Sequence, residues 1–197
     1  IQQSIVSFGN VFMQRLVNGF GPVTMAAYAV GMRIENYMFI PALGFNIGLA
    51  NFTGQNTGAG NIDRIKKGWR QTMFVAAGTC IVISILCYIF ASPLAMLFGV
   101  SGETLVQSNQ CVRFMCYFFT LFAMYLPTCG LLQGAGDVIF STVCSMTTLG
   151  VRVAFAYFFA YVLNVGYTSC WISVPIGWVL ALVMAWGRYF SGRWRDK

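Results

Sequence analysis

Gly54-Gln55-Asn56-Thr57-Gly58-Ala59-Gly60-Asn61 runs into Ile62-Asp63-Arg64-Ile65-Lys66-Lys67-Gly68-Trp69-Arg70, with long apolar stretches on either side. The glycines are expected to break a helix that begins near Thr24. Asn61 is placed to cap the next helix, with Asp63 in its first turn, where a negative charge suits the helix dipole. Four of the twelve Lys and Arg residues crowd into this junction. A basic collar on a tight turn between membrane-length helices marks a cytoplasmic face.

The surrounding composition agrees with a membrane setting. The chain is 58% hydrophobic and 9% charged, with a mean hydropathy of +0.70, whereas about a quarter of an average soluble domain is charged. The natural unit is therefore the membrane span of roughly 20 residues. The net charge of +7 does not point to nucleic acid, because the basic residues lie among apolar runs as positive-inside loops do. Residue 1 is Ile, with no basic segment before the first apolar run, so a signal peptide is a poor reading and the chain is expected to begin inside a larger protein. The seven cysteines form no C-x-x-C pair and the chain has no histidine, so they read as small core hydrophobes with no metal site; a Cys111–Cys170 bridge is the one pairing that helix ends would allow.

Six helices are expected, over Ile1–Phe20, Thr24–Thr57, Trp69–Phe98, Gln110–Gln133, Val138–Leu163 and Thr168–Phe190, making an all-α six-transmembrane bundle across residues 1–197. The connections split by charge. Arg64, Lys66, Lys67 and Arg70 lie in one turn, and Arg188, Arg193, Arg195 and Lys197 in the tail, whereas Gly21–Val23, Gly99–Asn109 and Asn164–Tyr167 carry no Lys or Arg. Both chain ends then face the cytoplasm. An even-numbered bundle also allows a duplicate ahead of residue 1 to enter the membrane in the same orientation, as in parallel-repeat transporters.

Polar residues inside these spans supply the candidate site. Gln3, Ser7, Asn10, Gln14 and Asn18 follow one another at spacings of 4, 3, 4 and 4, which at 100° per residue is one stripe about 80° wide. Lipid cannot satisfy it, so it faces protein or water. Ser141, Ser145, Thr148 and Arg152 repeat the device in the fifth helix. Arg152 would sit about 21 Å from one end of its helix and about 16 Å from the other, where an unmatched charge costs several kcal/mol. Glu35, Tyr28, Asn46 and Thr53 share a face of the second helix, and Glu35 is the embedded acid available to Arg152. Gly44-x-x-x-Gly48 and Gly130-x-x-x-Gly134 both read as surfaces for close helix approach.

Catalytic motifs are missing. Gly99-Val100-Ser101-Gly102 resembles the G-x-S-G of intramembrane serine proteases, which need a histidine base. The Gly54–Gly60 loop lacks the Gly-Lys-Ser/Thr of a nucleotide-binding loop. An enzyme is not expected.

Leu16-Val17-Asn18-Gly19-Phe20-Gly21, Ala26-Ala27-Tyr28-Ala29-Val30-Gly31-Met32-Arg33-Ile34, Gly54-Gln55-Asn56-Thr57-Gly58-Ala59-Gly60, Gln133-Gly134-Ala135-Gly136-Asp137 and Val151-Arg152 stand in the order seen in multidrug and toxic compound extrusion (MATE) transporters. The resemblance covers the whole chain but only the second half of such a transporter, helices seven to twelve. It implies two six-helix lobes in the bacterial cytoplasmic (inner) membrane, rocking between access states. Drugs and organic cations would be exported as xenobiotics by antiport against Na+ or H+. One branch of the family keeps coupling acids in its seventh and tenth helices. Ile1–Phe20 and Gln110–Gln133 contain none, which places the coupling-ion site in the N-terminal lobe that this chain lacks. The expected partners are a cationic small molecule, the bilayer and that other lobe, with Asn10, Gln14, Asn18, Glu35, Asn46 and Arg152 as cavity candidates and no metal ligands. The rival readings are a lipid-linked oligosaccharide flippase of the same superfamily and a non-transporting six-helix scaffold.

Overall fold

A computed structural model describes residues 2–195, with side chains from Gly9 onward. Its helices are α1 (Gln2–Asn18), α2 (Pro22–Gly58), α3 (Ile62–Ile89), the short α4 (Ala91–Met96), α5 (Gly102–Gly134), α6 (Val138–Tyr157) and α7 (Ser169–Phe190). A π-helical turn, Phe158–Val162, extends α6, and a 3-10 turn, Gly166–Thr168, leads into α7.

The opening junction differs in detail from expectation. The second helix ends within one residue of the expected Thr57, at Gly58, and the reversal is made at Gly60, whose φ of 70° suits a residue without Cβ. Asn61 precedes α3 but makes no side-chain capping bond. Asp63 in the first turn pairs instead with Lys66 at 3.1 Å. Because α3 begins at Ile62, the basic residues belong to its first three turns and not to a loop.

Two other boundaries moved for identifiable reasons. The expected third span ran to Phe98, but α3 stops at Ile89 and α4 starts two residues later. Pro93 lacks an N–H, and its ring would oppose the carbonyl four residues back, which belongs to Ile89. In contrast, α5 starts at Gly102, well ahead of Gln110, because its polar first turns find partners. Gln107 donates to Glu103 at 3.3 Å, and Thr24 of α2 donates to Gln107 at 3.0 Å.

The bundle is organised on α2 and α5, which lie side by side in the same direction. Thr24 meets Gln107, Gly31 meets Cys111, Asn46 meets Leu126 and Gly130, and Ala50 meets Gly134 along the seam. A Cβ at Gly130 would collide with the Asn46 carbonyl, and one at Gly134 with the Ala50 carbonyl. Among the described residues nothing approaches Gly44 or Gly48 within 4 Å, and of the two G-x-x-x-G pairs it is the α5 pair that is used for close approach there. Helix α3 covers one flank of the seam, α7 and α6 the other, and α1 leans on α6.

The main core joins Met13, Leu16 and Val17 of α1 to Ile34, Met38, Met115, Phe119, Trp171 and Trp178. A second core at the basic end holds Ile65, Leu131, Leu132, Tyr189 and Trp194. Beyond α7 the tail folds back, and the Trp194 indole donates to the Tyr189 carbonyl at 3.0 Å. The seven cysteines are free thiols, six of them buried, and Cys111 and Cys170 form no bridge.

Four helical segments are long and apolar enough to cross a membrane by length and composition: Ile62–Ile89, Gly102–Gly134, Val138–Val162 and Gly166–Phe190. Their lipid-compatible faces are laid bare, as at Phe74, Ile139 and Val183. Helices α1 and α2 fall outside this group. α1 has 17 residues and carries the polar stripe, and α2 includes Arg33, Glu35 and several amides.

Candidate functional site

The polar cluster is built from one face of α2 and a single side chain of α6. Tyr28, Met32 and Glu35 recur at helical spacing and so share that face. Opposite them, Arg152 Nη2 donates to the Tyr28 hydroxyl at 3.0 Å and lies 3.7 Å from the Met32 sulfur. Gly177 of α7 makes room for α6 here, since a Cβ would press on the Thr148 carbonyl and come within 3.6 Å of Arg152 Cβ.

Glu35 is 2% exposed, an unusual state for a carboxyl inside an apolar bundle. The sequence predicts an acidic or carbonyl partner for Arg152, with Glu35 the embedded acid available. The geometry corrects this: the two are near enough for their charges to interact, but the ion pairs among the described residues are Lys66–Asp63 and Arg188–Asp137. Tyr28 and Met32 meet the guanidinium first, and Glu35 lies a further turn along α2. Two buried atoms of the cluster, Glu35 Oε2 and Arg152 Nε, have no hydrogen-bond partner among the described residues. Buried polar atoms are ordinarily satisfied, so these two are free to engage a small molecule, an ion or a residue from elsewhere.

The rest of the α6 stripe serves packing. Ser145 and Thr148 donate to carbonyls four residues back, at 3.1 and 2.7 Å, and Ser141 accepts from Gln133 at 2.9 Å. Asn46, also a cavity candidate, is committed to the seam, where its amide donates to the Leu126 carbonyl at 2.7 Å.

The α1 stripe is separate from this cluster. Asn10, Gln14 and Asn18 are exposed, and Gln14 donates to Asn18 at 2.9 Å along the helix. Gln3, Ser7 and the neighbouring Phe8 lie outside the described side chains. Val11, beside the stripe, and Phe12, on the other side, are also exposed, at 64% and 52%. The helix is thus held along one narrow line, by Met13, Leu16 and Val17, by Gly9 packed on Leu149, and by the Tyr157 hydroxyl donating to the Phe12 carbonyl at 3.0 Å.

One set of residues escaped sequence reasoning. Asp137, 4% exposed, receives Arg188 at 2.6 Å, and that guanidinium lies 5.1 Å from the centre of the Phe140 ring. The pair ties the α5–α6 turn to the end of α7. Its signal was an acid standing alone between Arg113 and Arg152, in the turn before α6.

The MatE family model matches residues 1–158. The chain belongs to the MatE family. Its similarity to the probable multidrug resistance protein YoeA of Bacillus subtilis is 25% identity over all of this chain and 42% of that protein. Two solved structures of multidrug resistance MATE family transporters, one outward-facing and one inward-facing, each align with a TM-score of 0.89. Identity is 22% and 21%, and the whole of this chain covers 45% and 46% of theirs. This MatE chain therefore spans less than half the length of the relatives it matches, and its fold is that of an all-α, multi-pass membrane protein.

Proposed function

We propose that this chain forms one lobe of a two-lobe efflux antiporter in the bacterial cytoplasmic membrane, exporting small organic cations by alternating access. The observation that carries the reading is the uncovered polar stripe of α1. Three amide side chains, Asn10, Gln14 and Asn18, stand exposed on a helix that is anchored to the bundle along its opposite edge. In a bilayer such a face requires water, substrate or another protein segment. A second lobe across a water-filled cleft supplies all three.

The equal fit to outward- and inward-facing relatives supports a lobe that moves as one body. The Arg152–Tyr28–Glu35 cluster then serves from inside the lobe. Tyr28 and Arg152 hold α2 against α6, and Glu35 offers the negative charge that a cationic substrate passing the lobe needs. Both ends of the chain are cytoplasmic in this reading. The coupling Na+ or H+ is bound chiefly in the other lobe, because α1 carries no acid and the one acid of α5, Glu103, lies in its exposed first turn.

Cysteine scanning tests the cleft in a cysteine-free full-length protein. Cysteines at Asn10, Gln14 and Asn18 are expected to react with small aqueous thiol reagents and to be protected by a transported cation, whereas one at Phe12 is not. Uniform reactivity, or protection that ignores the cation, would leave the stripe as packing surface alone.

A further inference from the structure

The basic end of the bundle holds a cavity of about 480 Å³ between the start of α3 and the end of α7, lined by Asp63, Lys66, Lys67, Trp69, Arg70, Gln71, Tyr189 and Phe190. Three cations face one acid there, and that acid is already engaged by Lys66. The aromatic wall is rigid: Trp69 stacks on Tyr189 with ring centres 4.0 Å apart, and Tyr189 stacks on Trp194 at 5.9 Å. The Arg195 guanidinium lies 5.6 Å from the centre of the Trp194 ring, so the positive charge extends to the tail.

The cavity opens where two apolar tracks begin. On α3, Phe74, Ile81 and Ile85 follow Gln71 at helical spacing and are exposed; on α7, Val183 and Val179 recede from Phe190 in the same way. A ligand that matches all of this is anionic at one end and carries long apolar chains at the other. We infer that the cavity is a binding site for the phosphate headgroup of an anionic phospholipid in the leaflet at the basic end, with its acyl chains laid along α3 and α7. Lys67 and Arg70 are the principal phosphate donors, and Trp69 and Tyr189 hold the headgroup at interfacial depth. Lipid bound there bridges α3 and α7, which meet at this end chiefly through the Trp69, Trp186, Tyr189 and Phe190 rings. The inference is independent of which substrate the protein moves.

The test uses the purified full chain in a neutral detergent, titrated with phosphatidylglycerol, with phosphatidylcholine of the same acyl chains, and with glycerol phosphate. Binding to the folded state raises the thermal midpoint in a saturable way. Phosphatidylglycerol is expected to do so, the other two to have little effect. The variant Lys66→Gln/Lys67→Gln/Arg70→Gln should need roughly tenfold or more lipid for the same shift, whereas Arg64→Gln, outside the cavity, should behave as the parent does. If the triple variant folds poorly, Lys67→Gln alone should weaken the response partway. Equal shifts with phosphatidylcholine, or an undiminished response in the variants, would overturn the site. A shift with glycerol phosphate equal to that with the lipid would also overturn it, since the acyl tracks would then contribute nothing.

Discussion

An arginine buried midway along a membrane helix needs partners for its donors; in Arg152 the Nη2 nitrogen finds a neutral hydroxyl, while Nε is left without a partner among the described residues. A tyrosine acceptor satisfies a donor without cancelling the charge, so the positive field persists beside Glu35. Tyr28→Phe is expected to lower stability by about 1.5–3 kcal/mol, the worth of a hydrogen bond to a charged group. It should also lower efflux at normal expression, as measured by substrate accumulation in intact cells. Arg152→Ala and Arg152→Lys should both reduce efflux, with Lys the milder if charge outweighs the geometry of the guanidinium fork. Normal efflux by well-expressed Arg152→Ala protein would remove the residue from the mechanism. The importance of Arg152 was legible from its depth alone. Its partner was not, because charge matching favours Glu35 and says nothing of which side chain a rigid fork meets first.

At the scale of helices, the seam between α2 and α5 depends on two glycines. Gly130→Ala drives a methyl group into the Asn46 carbonyl, and backbone cannot yield as a flexible side chain does. The expected cost is about 1–3 kcal/mol, read as a lowered thermal midpoint. Gly44→Ala meets nothing and replaces a poor helix former, so it should be neutral or stabilising by up to about 1 kcal/mol. Destabilisation by Gly44→Ala equal to that by Gly130→Ala would show that the α2 glycines meet a helix too. Both pairs have the same spacing in the sequence, and spacing cannot say which face of a helix will be covered. The boundaries show the same limit. Pro93 ends α3, yet Pro41, Pro127 and Pro175 stay within their helices; the difference lies in neighbours that no local pattern records.

Viewed as a whole, the molecule is polarised by charge. Lys66 and Glu103 stand at opposite ends of the bundle, in the second turn of α3 and the first turn of α5. Single cysteines at these positions in a cysteine-free full-length protein should label with an impermeant thiol reagent from opposite sides of the membrane, Glu103 from outside. Labelling of both from outside would overturn this topology. The all-helical class and the polarity were legible because hydropathy and loop charge are properties of the chain itself. The order of packing around α2 and α5 depends on contacts between distant segments. One of these contacts bears on how the protein is made. The Tyr28–Arg152 bond joins residues 124 apart in the chain. At 5–20 residues per second, α6 leaves the ribosome on the order of ten seconds after α2. During that interval the acid-bearing helix has already been made, and the arginine that will lie beside it has not.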